Sequence, residues 1–409
     1  MNRWKIYKLS DIADVQTGPF GNQLHQRDYV DVGTPCIMPC NIGANLDVQT
    51  DNIAHLKASD IIRLNKYCVK EGDIIYSRRG DIEKCAYINH LQEGWLCGTG
   101  CLRIRPNTSI CFPKYLAYLL STKESKKWIV ANAVGTTMLN LNSSILNTMP
   151  IFLPPLAEQK RIADILSVID DKIELNRRIN ANLEQQAQAL YKSWFVDNKK
   201  DDWKEVPLSE VADFVGGYSY KGNELVESSM TAMATIKNFE RKGGFKVDGF
   251  KDIVASNKLK AEHHANLFDI LVAHTDLTQN ADVIGNAEML LTFDKYSDII
   301  FSMDLVKVLP KQTFPYKYLL AALLKNPHFK KHCMGYVNGT TVLHMSKKAL
   351  PEYIVNLPSI EEIQSMDNAF KAYYLKMAEI LQENNSLSTL RDTLLPKLMS
   401  GEINICKYN

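Results

Sequence analysis

Four short loops concentrate the side chains that could do chemistry in this 409-residue sequence. They combine glycine with arginine, amide, imidazole and hydroxyl groups, which are the groups that proteins use to hydrogen-bond nucleotide bases and phosphates. The candidates in the first half are Asn22, Gln23, His25 and Arg27 in one loop and Ser77, Arg78 and Arg79 in another. The candidates in the second half are Tyr218 and Lys221 in one loop and His274, Thr275, Gln279 and Asn280 in another.

Arg78 and Arg79 are the strongest individual candidates, because they follow the strand-like run 73–76. A pair of guanidinium groups at a strand end suits phosphate or guanine. The alternative for any single loop residue is an ordinary solvated surface role. Arg79, for example, could instead form a weak surface ion pair with Asp81.

A Gly-Thr-Thr motif occurs once in each half of the sequence. Thr136 and Thr137 follow Gly135, and Thr340 and Thr341 follow Gly339. Because the motif is the same in both halves, it should serve something common to them. A phosphate contact and a structural turn are both open, and all four threonines are candidate DNA-binding residues.

Neither a metal site nor an active site is evident. Cys36, Cys40, Cys97 and Cys101 could supply four thiolates to zinc, but three-residue gaps are less usual than two-residue gaps, so buried apolar thiols are favoured. The histidines lack an H-E-x-x-H pattern, and the sequence has neither a phosphate-binding G-x-x-x-x-G-K-[S/T] loop nor the [N/D]-P-P-[Y/F] stretch of amino-methyltransferases. We expect no catalytic residue and no metal or other cofactor bound by this chain.

An internal repeat organises these loops into two similar halves. Trp4-Lys5 returns as Trp203-Lys204, and the Gly-Thr-Thr motif returns 204 residues later. Short strand-like stretches alternate with helical patterns in each half, which predicts two similar α+β globules. The predicted domains are residues 1–154, a central long helix 155–198, a second globule 199–357 and a C-terminal long helix 358–409.

Both predicted long helices carry a heptad seam. In the first helix the seam is Ile162, Leu166, Ile169, Ile173, Asn176, Asn180, Leu183, Ala187, Leu190 and Trp194. Adding 204 gives Met366, Phe370, Tyr373, Met377, Ile380, Asn384, Leu387, Arg391, Leu394 and Leu398. We predict that the helices pair antiparallel as a coiled coil, with the equivalent Asn180 and Asn384 helping to fix register. Two unrelated helices, each packed on its own globule, are the alternative.

The length of the seam predicts a spacing. At about 1.5 Å per residue, the first seam is roughly 48 Å long. If the two predicted globules were held at its ends and each contacted DNA, the contacts would lie about one DNA helical turn apart or slightly more, taking about 34 Å per turn. A split target with an unread middle is therefore expected.

Composition is that of a globular protein, with 45% hydrophobic and 23% charged residues and a net charge of only +2. Binding to a polyanion would need local basic loops or a partner protein. No secretory signal and no long apolar run is evident, so we expect a cytoplasmic protein that does not bind membranes.

Three motifs, in this order and within the repeat, resemble the specificity subunits of Type I restriction-modification systems. They are the segments 153–162 (LPPLAEQKRI), 191–195 (YKSWF) and 390–403 (LRDTLLPKLMSGEI). The resemblance covers essentially the whole chain. One departure is that Ile360-Glu-Glu-Ile363 replaces the Pro-Leu-Ala-Glu-Gln start of the first motif in the second copy, whose helix seam also contains Arg391.

The resemblance implies a function for each part. Each globule would be a target recognition domain for one part of a bipartite double-stranded DNA target, and the helices would dock two modification subunits. Restriction or motor subunits would be further partners, and S-adenosylmethionine, ATP and Mg²⁺ would be used by the partners. The alternatives are a coiled-coil scaffold without DNA specificity and an enzyme with a hidden site.

Overall fold

The computed structural model describes residues 4–43, 45–135 and 139–403. Contacts within the chain divide it into two compact units. Unit 1 consists of Met1–Lys172 with Ser388–Asn409, and unit 2 of Ile173–Leu387. This division runs through the two long helices, because part of each helix packs on each unit.

The described residues of unit 1 form ten strands and the beginning of the first long helix. The strands are β1 (Lys5–Lys8), β2 (Ala13–Thr17), β3 (Tyr29–Val30), β4 (Thr34–Ile37), β5 (Ala54–Leu56), β6 (Ile74–Ser77), β7 (Cys85–Tyr87), β8 (Leu96–Cys97), β9 (Cys101–Pro106) and β10 (Pro150–Leu153). The helices are α1 (Leu9–Ile12), α2 (Ala58–Arg63), α3 (Pro113–Ser121), α4 (Lys123–Asn132), α5 (Ser143–Asn147) and α6 (Leu156–Lys192).

The strands of unit 1 form three small sheets. Two are four-stranded, in the orders β2-β9-β6-β7 and β3-β5-β4-β8, and β1 pairs with β10. The central strand β6 reads Ile-Ile-Tyr-Ser and is buried on both faces, as expected for an apolar run covered on each side. Ile74 and Tyr76 of this strand join β9 and the helix α3 in one core, which also contains Ile162, Leu166 and Leu398 of the long helices.

Unit 2 contains thirteen strands. They are β11 (Lys204–Pro207), β12 (Ala212–Gly216), β13 (Thr231–Ala234), β14 (Lys251–Asp252), β15 (His264–Ala265), β16 (Ile270–Ala273), β17 (Thr275–Asp276), β18 (Ala287–Met289), β19 (Asp298–Phe301), β20 (Leu305–Pro310), β21 (Val337–Asn338), β22 (Leu343–Met345) and β23 (Ile354–Leu357). The helices are α7 (Leu208–Val211), α8 (Lys317–Leu324), α9 (Pro327–Met334), α10 (Ala349–Glu352) and α11 (Ile360–Met399).

Unit 2 repeats the topology of unit 1. Its sheet β12-β20-β16-β18 has the order of β2-β9-β6-β7, and the pair β11-β23 matches β1-β10. The parallel pairing of β13 with β19 matches that of β4 with β8. The sequence repeat therefore corresponds to a repeated fold, with a further small sheet, β17-β22-β21, in unit 2.

A glutamine explains why the first long helix begins where it does. Pro154 and Pro155 end β10, because proline lacks the N–H that a strand ladder or helix interior would use. One turn into α6, the Gln159 side chain is buried; it accepts from the N–H of Phe112 (2.8 Å) and donates to the carbonyl of Pro154 (2.8 Å). Ile363 holds the equivalent position at the start of α11. There, Asp367 accepts from the backbone N–H of Tyr318 at 2.9 Å instead.

In each unit a piece of α6 packs against a piece of α11. In unit 1 the Arg391 guanidinium donates to Asp170 at 3.1 Å. In unit 2 the Asn176 amide donates to Asn384 at 2.9 Å, and the Asn180 amide donates to the carbonyl of Met377 at 3.3 Å. The partner's number falls as the number on α6 rises, so the contacting pieces run antiparallel. All twenty positions of the two predicted seams are buried or half-buried.

Candidate nucleic-acid interface

Three segments of unit 1 meet where the central strand ends. Directly after β6, the backbone N–H of Arg78 donates to the carbonyl of Gly100 at 2.8 Å. The carbonyl of Arg78 accepts from the N–H of Leu141 at 2.9 Å, and the backbone of Arg79 forms an isolated antiparallel β-bridge with that of Asn140. The strand end is thereby held between the turn before β9 and the segment that follows the Gly-Thr-Thr motif.

The glycine loop after β2 lies against the same turn. The N–H of Gly18 donates to the carbonyl of Cys101 at 3.0 Å, and the Thr99 hydroxyl donates to the carbonyl of Pro19 at 2.9 Å. A Cβ at position 18 would lie 2.2 Å from the carbonyl oxygen of Gly98, so only glycine fits there. The loops singled out in the first half of the sequence therefore share one edge of unit 1.

Unit 2 brings its loops together in the same way. The N–H of His274 donates to the carbonyl of Asp304 at 2.8 Å, and the carbonyl of His274 accepts from Met345 at 2.9 Å. The amide of Gln279 donates to the carbonyl of Thr340 at 2.6 Å, which joins this loop to the Gly-Thr-Thr motif.

The second glycine loop completes the edge of unit 2. The N–H of Tyr218 donates to the carbonyl of Phe301 at 2.7 Å. A Cβ at Gly217 would lie only 2.0 Å from the carbonyl of Ser302. Ser302 and Asp304 lie in the same turn, and His274 binds this turn through the carbonyl of Asp304. The loops of unit 2 therefore converge on one turn, as those of unit 1 do.

Most of the candidate residues are accessible at these edges. The exposed ones are Asn22, His25, Arg27, Arg79, Lys221, Gln279, Asn280, Thr340 and Thr341. Gln23, Arg78 and His274 are half-buried. Gln23 is also engaged within the protein, because its side-chain oxygen accepts from the Tyr67 hydroxyl at 2.6 Å.

Three candidates are buried, which argues against a DNA contact by their side chains. Ser77, Tyr218 and Thr275 are 1%, 1% and 3% exposed. The Ser77 hydroxyl donates to the Arg79 carbonyl (3.0 Å), that of Tyr218 to Glu224 (2.9 Å) and that of Thr275 to Asp304 (2.9 Å). These hydroxyls shape the loops from inside and are not available to a ligand.

The second Gly-Thr-Thr motif contains a turn that requires glycine. Gly339 has φ of +114°, and a Cβ there would lie 2.3 Å from the carbonyl of Val342. This favours the structural turn for the glycine, while the two threonines after it remain exposed. In the first copy, Thr136 and Thr137 lie outside the described residues.

The charges at the two edges differ. In unit 1 the carboxylate of Asp81 pairs with Lys84 at 3.2 Å, not with Arg79 as the alternative had it. Among the residues that the structure describes, the Nε of Arg78 has no hydrogen-bond partner, and neither has the side-chain oxygen of Asn140. The edge of unit 1 therefore carries Arg78, which is half-buried with its Nε buried, and Arg79, which is exposed.

The edge of unit 2 carries imidazoles in place of arginines. Burial lowers the pKa of His274 below its usual value, and the nearby His344 and Lys347 lower it further, while Asp304 opposes them. His274 is therefore neutral at neutral pH, able to donate from one ring nitrogen and accept at the other.

Asn140 and His344 were missed by the sequence analysis. Both lie four residues after the first threonine of their motif, and each pairs with the residue that follows Arg78 or His274. The constant offset of 204 between them was the signal that could have found them.

In the part of the chain that the structure describes, the four cysteines considered for zinc are not grouped as metal ligands. Cys36, Cys97 and Cys101 are buried, whereas Cys40 is exposed. Burial raises the pKa of Cys36 to about 12, which disfavours the thiolate that zinc would need. Within the described ranges, no three His, Cys, Asp or Glu side chains are grouped so as to hold a metal ion.

No helix of the described ranges is both long and apolar enough to cross a membrane.

The fold repeats one topology in two units, and each unit gathers its candidate loops at one edge. Its first 185 residues match the model of the Type I restriction modification DNA specificity domain. The specificity subunit of the Type I restriction enzyme HindI from Haemophilus influenzae is 25% identical, covering 98% of this chain and 100% of that protein. The corresponding MjaIX subunit from Methanocaldococcus jannaschii is 22% identical, covering 98% of this chain and 94% of its own.

A solved structure shares the fold. The crystal structure of a Type I restriction-modification S subunit from M. genitalium covers 97% of this chain and 96% of its own, with 19% identity and a TM-score of 0.54. The chain is therefore similar to Type I restriction-modification specificity subunits, in its first 185 residues by the family model and over 98% of its length by these two relatives. The relatives are specificity subunits, so the comparisons support neither the scaffold nor the enzyme alternative.

Proposed function

We propose that each unit of this specificity subunit reads one part of a bipartite DNA target with an unread gap. The convergence of the loops at one edge of each unit is the observation that carries the proposal. Two edges with the same backbone frame and different side chains suit two half-sites of different sequence, since base identity is read by side-chain donors and acceptors.

We further propose that α6 and α11 pair along their length as an antiparallel coiled coil that spaces the readers and docks two modification subunits. The antiparallel contacts within each unit and the burial of both seams support this pairing. In this organisation the readers are residues 1–154 and 199–357, and the spacer helices are residues 155–198 and 358–409.

The chemistry is assigned to the partners. Modification subunits would use S-adenosylmethionine, and restriction or motor subunits would use ATP and Mg²⁺. This chain would contribute DNA contacts and docking surfaces without binding a cofactor. The relatives' description as specificity subunits of restriction enzymes supports this division of labour.

Mapping N6-methyladenine by single-molecule sequencing tests the proposal. Host DNA is compared between cells with the gene, cells without it and cells complemented with it. We expect one split motif, two short blocks around a fixed gap, to lose methylation in the deletion and to regain it on complementation. An unchanged map in cells that express both the chain and its modification partner would contradict the proposal.

A further inference from the structure

One position in each unit is held in the same backbone frame but carries a different side chain. Arg78 and His274 each donate their backbone N–H to the turn that precedes the adjacent strand, at 2.8 Å in both units. Each carbonyl accepts an N–H from the segment after the Gly-Thr-Thr motif, at 2.9 Å in both units. The acceptors in the turns, Gly100 and Asp304, differ by 204, as the two copies of the motif do.

The flanking residues confirm that the two positions are equivalent. The residue before each one pairs with the neighbouring strand, and the residue after each one pairs with the segment beyond the Gly-Thr-Thr motif. The pairs are Ser77 with Cys101 and Arg79 with Asn140 in unit 1, and Ala273 with Leu305 and Thr275 with His344 in unit 2. In both pairs the partner residue in unit 2 lies 204 positions after the partner residue in unit 1.

The side chains at this position offer different hydrogen bonds. A guanidinium can donate two parallel hydrogen bonds to O6 and N7 of guanine, which is the commonest specific contact in the major groove. An imidazole has only two ring nitrogens, on opposite sides of the ring, and makes one hydrogen bond to a base edge. Arg78 is half-buried at the strand end, and its Nε has no partner in the described part of the chain.

The backbone frame suits this position to reading rather than to general attraction. Backbone hydrogen bonds on both sides fix the direction in which the side chain leaves the strand end, so little ordering remains to be done when DNA binds. Arg79, one residue later, is exposed and outside the strand, which suits a phosphate contact.

We infer that this position determines the base preference of each half-site, with Arg78 reading a guanine for unit 1 and His274 making a single hydrogen bond to a base for unit 2. The inference rests on the proposed function. At one base pair of each half-site, the base that is preferred would depend on whether the equivalent residue is Arg78 or His274. Arg78 would read a base, whereas the adjacent Arg79 would contact a phosphate.

The substitutions Arg78→Gln and His274→Gln test the inference in the complete complex with its modification partners. Arg79→Gln is the matched control. Because the frame is made by backbone groups, all three variants should keep the fold, which thermal unfolding checks. We expect Arg78→Gln to reduce discrimination at one base pair of one half-site about 10- to 100-fold, and His274→Gln to relax one base pair of the other half-site. Arg79→Gln should weaken binding to all sequences alike and lower the salt dependence.

A modified base tests the guanine assignment directly. Replacing each guanine of the target in turn by 7-deazaguanine removes the N7 acceptor without changing Watson–Crick pairing. One replacement should weaken binding by the wild-type complex, measured by fluorescence anisotropy, and should have little effect on the Arg78→Gln complex.

Two results would overturn the inference. One is a split motif whose base preferences are the same for the wild type, Arg78→Gln and His274→Gln. The other is an equal effect of each 7-deazaguanine on wild-type and Arg78→Gln complexes. Either result leaves the proposed function standing, because that would be refuted only by the absence of any split motif dependent on this chain.

Discussion

At the scale of single residues, the imidazole of His274 makes the edge of unit 2 sensitive to pH. His274 is half-buried beside His344 and Lys347, and its pKa lies below the usual value of 6.5 because burial and these neighbours disfavour the imidazolium. The loop cluster of unit 2 therefore contains an imidazole that resists protonation in the folded protein.

This lowered pKa predicts an acid-dependent loss of stability. Between 6.5 and the lowered pKa, the unfolded chain binds a proton at His274 that the folded chain does not, so the free energy of unfolding falls as pH falls through this window. We expect His274→Gln to lose less stability than the wild type between pH 7 and pH 5. Denaturant unfolding followed at several pH values measures this.

The control for this prediction is His25→Gln, which changes an exposed histidine of unit 1. It should leave the wild-type pH profile in place. If His274→Gln and the wild type lose stability in parallel as pH falls, the imidazole of His274 does not titrate in the manner described.

At the scale of elements, the long helices are joined by polar as well as apolar contacts. In unit 2, Asn176 and Asn384 are 1% and 9% exposed and share a hydrogen bond of 2.9 Å. The Asn384 amide also donates to the carbonyl of Ile173 at 3.4 Å. A buried amide pair stabilises a helix pair less than leucines would, but it favours one register, because any other register leaves the amides unsatisfied.

Replacing Asn384 by alanine should lower the free energy of unfolding by about 1–3 kcal/mol, because it removes a buried acceptor of Asn176. The double replacement Asn176→Leu/Asn384→Leu should be less destabilising than the sum of the two single leucine replacements. Chemical denaturation of all variants measures both effects.

Asn368→Ala provides the control on the same helix, α11, since Asn368 is exposed. It should change the free energy of unfolding by less than about 0.5 kcal/mol. Equal stability of Asn384→Ala and the wild type would show that the amide pair contributes nothing to the helix contact.

At the scale of the whole molecule, the repeat predicts that the two readers can be exchanged separately. Strand β1 pairs with β10 from Lys5 with Leu153 to Lys8 with Pro150, so an exchange that ends at residue 150 would split this two-stranded sheet. A junction after Pro154 keeps the pairing together and leaves the long helix intact.

Exchanging residues 1–154 for those of a related specificity subunit should replace one block of the methylated motif and keep the other block. The gap should also stay the same, because the helices that set it are unchanged. Methylation mapping in cells that contain the modification partner measures the motif. A motif in which both blocks change would contradict separate reading by the two units.

The sequence by itself determined the features that depend on local periodicity and on repetition. Heptad spacing over α6 and α11 predicted two long helices, since a helical seam is fixed by residues three and four apart. The offset of 204 predicted that the halves share a fold, and the sheets β2-β9-β6-β7 and β12-β20-β16-β18 have the same order. The convergence of conspicuous loops was not predictable in the same way, because it depends on pairings between segments far apart in the chain.

Only the tertiary structure decided which polar residues face outward. Ser77, Tyr218 and Thr275 have the composition of a binding loop, yet each hydroxyl finds a partner inside the unit. Asp304, the partner of Thr275, lies 29 residues further along the chain, and no local pattern relates the two. A buried hydroxyl must be hydrogen-bonded, and the fold supplies its partner through long-range strand pairing, which is why the sequence could locate the loops but not the faces of their side chains.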